Sequence, residues 1–223
     1  MTAMNTKGLS QYATRNVPRY TSYPTAHHFS DAVDSATYAG WLKDLDQVEP
    51  VSLYLHVPFC RQICWYCGCN MKLATRKSPV AEYAETLKRE IELLAGHLPA
   101  RMSISHLHWG GGTPTVLEPD DFESVMNVVR RHFDISERAG LAVECDPRTL
   151  SQAMIDRIGA LGFSRASFGV QEFDPKVQAA INRIQPPAMV RKAVSAFRDA
   201  GVQSINFDLI YGLPHQTTET LLD

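Results

Sequence analysis

No stretch of this chain approaches the roughly eighteen consecutive apolar residues that a membrane helix needs. The longest apolar run, Val51 to Phe59, is interrupted by Ser52, His56 and Pro58, so the chain is expected to be soluble. An excess of positive charge is missing too. The chain carries 22 Lys and Arg against 24 Asp and Glu, a formal net charge of −2, which offers no basic field for nucleic acid. No internal repeat or low-complexity segment occurs. Acids are absent before Asp31, while Lys7, Arg15 and Arg19 are present. That loosely resembles a transit peptide, but neither a secretory apolar segment nor a clear amphipathic face accompanies it. A disordered N-terminus in a cytoplasmic protein is the expectation. The chain, 223 residues and 44% hydrophobic, can bury a substantial core in one or two domains.

Cysteine is scarce except in one place. There are five, and four fall in the run Cys60-Arg-Gln-Ile-Cys64-Trp-Tyr-Cys67-Gly-Cys69. The first three are spaced C-x-x-x-C-x-x-C, so one short loop can wrap three thiolates around a compact inorganic core. Soft thiolates select iron–sulfur clusters, zinc or Cu(I). A [4Fe–4S] cube normally takes four cysteines, so Cys60, Cys64 and Cys67 alone would leave one iron open to a substrate. Structural zinc prefers paired ligand sets, and no second pair exists. A disulfide framework fits poorly with an odd count crowded into one loop. Cys145, alone in an apolar strand, reads as a core thiol.

Strand and helix signals alternate along the rest. Strands are predicted at Val51–Val57, Ile104–Trp109, Leu141–Cys145, Phe163–Val170 and Ser204–Ile210, with helices at Val80–Leu98, Pro119–Phe133, Leu150–Leu161 and Pro187–Ala200 between them. Gly162 and Gly201 are expected as helix stops. Such alternation implies a parallel sheet with right-handed crossovers. In a βα barrel the functional residues gather at the C-terminal strand ends. The cysteine loop, Gly110-Gly111-Gly112-Thr113, Glu144, Gln171 and Asp208 all fall there, on one rim. Taken alone, the triple glycine reads as a tight turn. Glu144, Gln171, Arg183 and Asp208 could equally make surface hydrogen bonds, and His56, His106 and His108, within strands, read as core histidines rather than iron ligands.

The run YLHVPFCRQICWYCGCN resembles the cluster loop of radical S-adenosylmethionine (SAM) enzymes. Its GCN ending and the upstream PRYTSYPTA narrow the resemblance to the oxygen-independent coproporphyrinogen III oxidase family, and HWGGGTPT, VECDPRTL, SFGVQEF and NFDLIYGLPHQT extend it from about Pro18 to the C-terminal end. The resemblance implies an α/β fold, a partial (β/α) radical SAM barrel of parallel strands preceded by an extended N-terminal arm. Residues 1–49 would be the arm and a short helical lead-in, and residues 50–223 a core incomplete at its C-terminal end.

It also implies cofactors and roles. Cys60, Cys64 and Cys67 would hold a [4Fe–4S] cluster with an open iron. Tyr54, Gly111 and Glu144 map to contacts with the SAM at that cluster. Tyr66, Gly112, Thr113, Gln171, Arg183 and Asp208 map to a second SAM, with Tyr66 standing where phenylalanine is the family residue. Tyr54 and Cys69 are the candidate catalytic side chains, and Arg19, Tyr20 and Tyr23 of the arm the candidate substrate contacts. The implied reaction converts two propionates of coproporphyrinogen III to vinyl groups through a 5′-deoxyadenosyl radical, giving protoporphyrinogen IX. A low-potential electron donor and an electron acceptor would be partners. Two alternatives stand: a haem-trafficking relative, and a binding module in which Cys69 closes the cluster.

Overall fold

The computed structural model describes residues 25–222; Arg19, Tyr20 and Tyr23 lie outside them. By contacts the chain divides between Tyr38 and Ala39. Before that boundary lie a 3-10 turn, Ala26–His28, and the start of helix α1 (Ser35–Lys43). Asp34 begins that helix, its Oδ1 accepting from the Thr37 N–H at 2.8 Å.

The unit from Ala39 onward is an α/β structure. Its strands are β1 (Val51–Val57), β2 (Phe59–Cys60), β3 (Lys72–Leu73), β4 (Ser103–Gly111), β5 (Asp134–Cys145), β6 (Arg165–Gln171) and β7 (Ser204–Leu209). The helices after α1 are α2 (Ser78–His97), α3 (Pro119–His132), α4 (Gln152–Ala160), α5 (Pro175–Ala180), α6 (Pro187–Asp199) and α7 (Thr218–Leu222). Five strands form one sheet in the order β1-β4-β5-β6-β7, each pair parallel. This is the partial (β/α) barrel that the sequence predicts. Sequential order with right-handed crossovers places the crossover helices on one face of the sheet.

That asymmetry separates the two side-chain sets of every strand, because successive residues point to opposite faces. Leu55, Val57, Leu107, Trp109, Val143 and Phe168 face the helices and share one core with Ala84, Leu87 and Ile91 of α2, Phe122 and Met126 of α3, and Phe197 of α6. Trp109 stacks on Phe122 with ring centroids 4.2 Å apart. The alternate positions (Tyr54, His56, His106, His108, Glu144, Ser167, Asn206 and Asp208) look to the other face and are half-buried or exposed. His56, His106 and His108 are therefore not core histidines. Their polar alternation with Leu55, Leu107 and Trp109 marks the open face.

Helix ends follow local chemistry. Asp120 and Asp121 occupy the first turn of α3 and Arg130, Arg131 and His132 its last, complementing the macrodipole. Gly162 and Gly201 end α4 and α6 with φ of +83° and +93°. Several pieces differ from expectation. β5 starts at Asp134 rather than Leu141, because Asp134 and Ile135 pair with Ser103 and Ile104 before a register shift lets Gly140 pair with His106. The polar residues Ser136 to Arg138 between those pairings carry no alternating apolar signal. The short ladder of β2 with β3, α5 and a 3-10 turn at Pro114–Val116 were likewise not predicted; each is too short to show a period.

Candidate active site

The cysteine loop leaves β1 and is pinned where it starts. Gly112 N–H donates to the Val57 carbonyl and Thr113 N–H to the Phe59 carbonyl, both at 2.8 Å. A Cβ on Gly112 would lie 2.7 Å from the Phe59 carbonyl oxygen, so no side chain fits between the two strand ends. Gly111, at φ +115°, takes a conformation that other residues rarely adopt, and a Cβ there would meet the His56 ring at 2.7 Å. The turn reading and the ligand-approach reading of the glycines coincide: the turn is what brings the cysteine loop against the sheet.

One cavity of about 220 Å³ opens at the C-terminal ends of the strands. It is lined by Cys60, Cys64, Cys67 and Cys69 from the loop, Tyr66, the Gly111–Thr113 turn, Glu144 from β5, Gln171 from β6, Asp208 from β7, and Arg183. Every cofactor position named from the sequence borders it except Tyr54, which stands beside it on β1, its ring stacked on His108 at 5.7 Å. Cys145 is buried in the core yet also reaches the cavity wall. Among the described residues no three Cys, His, Asp or Glu side chains close on a single point as around one bare ion. The three thiols instead face a shared space, which suits a larger thiolate-bound body, and the donor set is the soft one an iron–sulfur cluster takes.

The side chains around that space are held individually. Glu144 accepts from His108 Nε2 at 2.9 Å and from the Gly111 N–H at 3.3 Å, which fixes its carboxylate toward the turn. Asp208 accepts from the Ser167 hydroxyl at 3.1 Å and from Asn206 Nδ2 at 3.0 Å. Gln171, buried, ends β6 at φ +71°, a strained conformation for a side-chain-bearing residue. It is over-determined by a buried amide set just behind it: Gln178 Nε2 donates to the Glu172 and Gln185 carbonyls, and Gln185 Nε2 to the Val170 carbonyl. The Thr113 hydroxyl is 3.4 Å from Cys60 Sγ.

Arg183, for which a surface hydrogen bond was the alternative expectation, is buried. Its Nε–H and NH2 donate to the Gly169 carbonyl, and its NH1 reaches Cys64 Sγ at 3.3 Å and Asp146 at 3.4 Å. Burial pushes the Tyr66 phenol well above its ordinary pKa, with the Arg183 charge pulling it back. Burial also raises the Cys60 thiol; burial and then the Cys67 thiol push Cys69 up to about 11.

The sequence reading took His108 for a core histidine and did not single out Asp146 or Arg148. Asp146 and Arg148 lie inside the VECDPRTL run, and Arg148 NH2 stands 3.4 Å from Cys64 Sγ. A period-2 reading of β4 would have found His108; nothing local announces the other two.

Comparison with known proteins agrees with this geometry. The chain is 50% identical over 212 residues to the oxygen-independent coproporphyrinogen III oxidase of Bradyrhizobium diazoefficiens, covering 95% of this chain and 47% of that protein. It is 42% identical over 200 residues to that of Paracoccus denitrificans, covering 90% and 44%. The solved structure of coproporphyrinogen III oxidase (HemN) from Escherichia coli, described as a radical SAM enzyme, superposes with a TM-score of 0.86 at 36% identity over 97% of this chain and 48% of that one. The chain thus spans about half the length of the curated relatives it matches. The radical SAM superfamily model matches residues 54–223, the span that contributes the cysteine loop, the glycine turn and every strand end around the cavity, and the chain belongs to that superfamily.

Proposed function

We propose that this chain carries the cluster- and SAM-binding part of an oxygen-independent coproporphyrinogen III oxidase. The observation that carries the reading is convergence: three loop thiols, a glycine turn and polar side chains from β5, β6 and β7 line one cavity. Cys60, Cys64 and Cys67 hold a [4Fe–4S] cluster, and SAM binds beside it. Bound together there, the cluster and SAM would supply the radical chemistry for oxidative decarboxylation of a substrate propionate to a vinyl group.

The chain's own residues bind and orient. Glu144, braced by His108 and the Gly111 N–H, presents a carboxylate to ribose hydroxyls or the sulfonium of the first SAM, with Tyr54 and Gly111 beside it. Asp208, Gln171, Thr113, Gly112 and Tyr66 border the rest of the cavity and serve the second SAM. Arg183 uses four of its five N–H groups on Gly169, Cys64 and Asp146, so it offers that ligand charge and one free donor. Arg19, Tyr20 and Tyr23 contact the tetrapyrrole. A low-potential donor delivers the electron and an acceptor takes it away. The reading places the protein in the cytoplasm; among the described residues no helix is long and apolar enough to cross a membrane.

Anaerobic reconstitution of the full-length protein tests this reading. The expected result is about four irons and four sulfides per chain, a reduced-cluster electron paramagnetic resonance (EPR) signal that changes on adding SAM, and conversion of coproporphyrinogen III to protoporphyrinogen IX. A signal indifferent to SAM would instead identify a closed-cluster module. SAM cleavage without decarboxylation would identify a haem-trafficking relative.

A further inference from the structure

Glu144 explains one residue of the β5 end, yet two others there, Asp146 and Arg148, are more deeply buried. Their side chains are 8% and 10% exposed. Asp146 accepts from Arg148 Nε at 2.9 Å and from its NH2 at 2.6 Å, a two-pronged grip, and also from the Arg148 backbone N–H at 3.0 Å. The same carboxylate lies 3.4 Å from Arg183 NH1. Held in this fork, Arg148 directs its NH2 to Cys64 Sγ at 3.4 Å, while Arg183 NH1 reaches the same sulfur at 3.3 Å from the other chain segment.

One carboxylate thus aims two guanidiniums at one ligand sulfur. The arrangement is specific to that corner. Cys60 has the Thr113 hydroxyl, and Cys67 has the Cys69 thiol beside it; neither neighbour carries a positive charge. Cys64 is itself 7% exposed, so water screens the charges there poorly. Hydrogen bonds and positive charge on a ligand sulfur favour the more negative, reduced form of a cluster and raise its reduction potential.

We propose that Arg148, oriented by Asp146, is a positioning residue that donates to the Cys64 thiolate and raises the reduction potential of the cluster held there. The inference rests on the cluster assignment above. It adds a role for the DPR segment of the cavity wall: to make the cluster reducible by a weaker donor. A purely structural Arg148, knitting Asp146 to Gln62 Oε1 (3.1 Å), would leave the potential alone.

The test is an EPR-monitored redox titration, without SAM, of the reconstituted full-length protein and of Arg148→Met and Arg148→Lys. In Arg148→Met the reduced-to-oxidised ratio at the parent's midpoint is expected to fall about tenfold, equivalent to about 59 mV for one electron. Arg148→Lys keeps the charge but not the planar fork and should shift less, in the same direction. Parent-like midpoints in both variants would overturn the inference. So would loss of the cluster from both while the apo-proteins remain folded, because that would make Arg148 a scaffold for the loop. Failure of the parent protein to hold a cluster would instead overturn the cluster assignment itself.

Discussion

Cys69 stands two residues beyond Cys67, exposed on the same loop, and its role separates an open cluster from a closed one. Replacing Cys60, Cys64 or Cys67 singly with Ala is expected to abolish stable cluster assembly, whereas Cys69→Ala should keep the cluster and change activity; iron, sulfide and visible absorbance decide it. Glu144→Ala and Asp208→Ala supply no iron ligand, so cluster content should stay while SAM affinity falls. Anaerobic calorimetry reads the second, and unchanged affinity in both would remove them from the site. Asp146 carries a pH signature of its own. Burial pushes its carboxyl up, but Arg148 and Arg183 outweigh that and hold it below the usual carboxylate range. With a folded pKa below the unfolded value of about 3.9, its contribution is fully present above that pH and lost as pH falls through the folded value. Denaturant unfolding of the apo-protein at neutral pH should show Asp146→Asn destabilised by about 3–5 kcal/mol, the cost of breaking a buried pair. The gap should narrow below about pH 3.9.

The β4–α3 element shows how a turn and a helix serve the site together. Phe122 of α3 stacks beneath Trp109, two residues before the glycine turn begins at Gly111, so helix packing sets the height at which that turn meets the cysteine loop. Opposite signs are expected for two glycine substitutions. Gly112→Ala puts a methyl against the Phe59 backbone, which cannot swing aside, and should both destabilise the fold and loosen the cysteine loop. Gly96→Ala, in α2 with nothing within 4 Å of its Cβ, should stabilise by about 0.4–1 kcal/mol by restricting the unfolded chain. Thermal melts of the two variants give the comparison. A neutral Gly112→Ala would mean that the turn does not pin the loop.

At the scale of the molecule, β7 closes one side of the sheet order and shows its apolar residues to solvent: Phe207 is 47% and Leu209 55% exposed, with Tyr211 just beyond the strand 88% exposed. An edge strand with that surface is a template for pairing with another chain. A polypeptide of these 223 residues alone is expected to associate with rising concentration in sedimentation velocity. Monomeric behaviour over that concentration range would show that the edge does not drive association.

What the amino-acid order determined by itself is local. The spacing of Cys60, Cys64 and Cys67 within one loop, the glycine turn, the βα alternation and the helix stops at Gly162 and Gly201 all rest on residues a few positions apart, where spacing and backbone preference are enough. Which face of the sheet each strand residue takes was also legible in principle, as the misplaced histidines show: their period of two was present, but not yet tied to an open face. The tertiary structure alone decided that His108 would brace Glu144, and that Asp146 would turn Arg148 and Arg183 onto Cys64. Asp146 and Arg148 are two residues apart, but His108 and Glu144, Asp146 and Arg183, and both arginines and Cys64 lie tens of residues apart and meet only because the parallel register sets successive strand ends side by side, with each crossover helix consuming the sequence between them. No local pattern encodes that meeting, because it is a property of the packed sheet rather than of any segment in it.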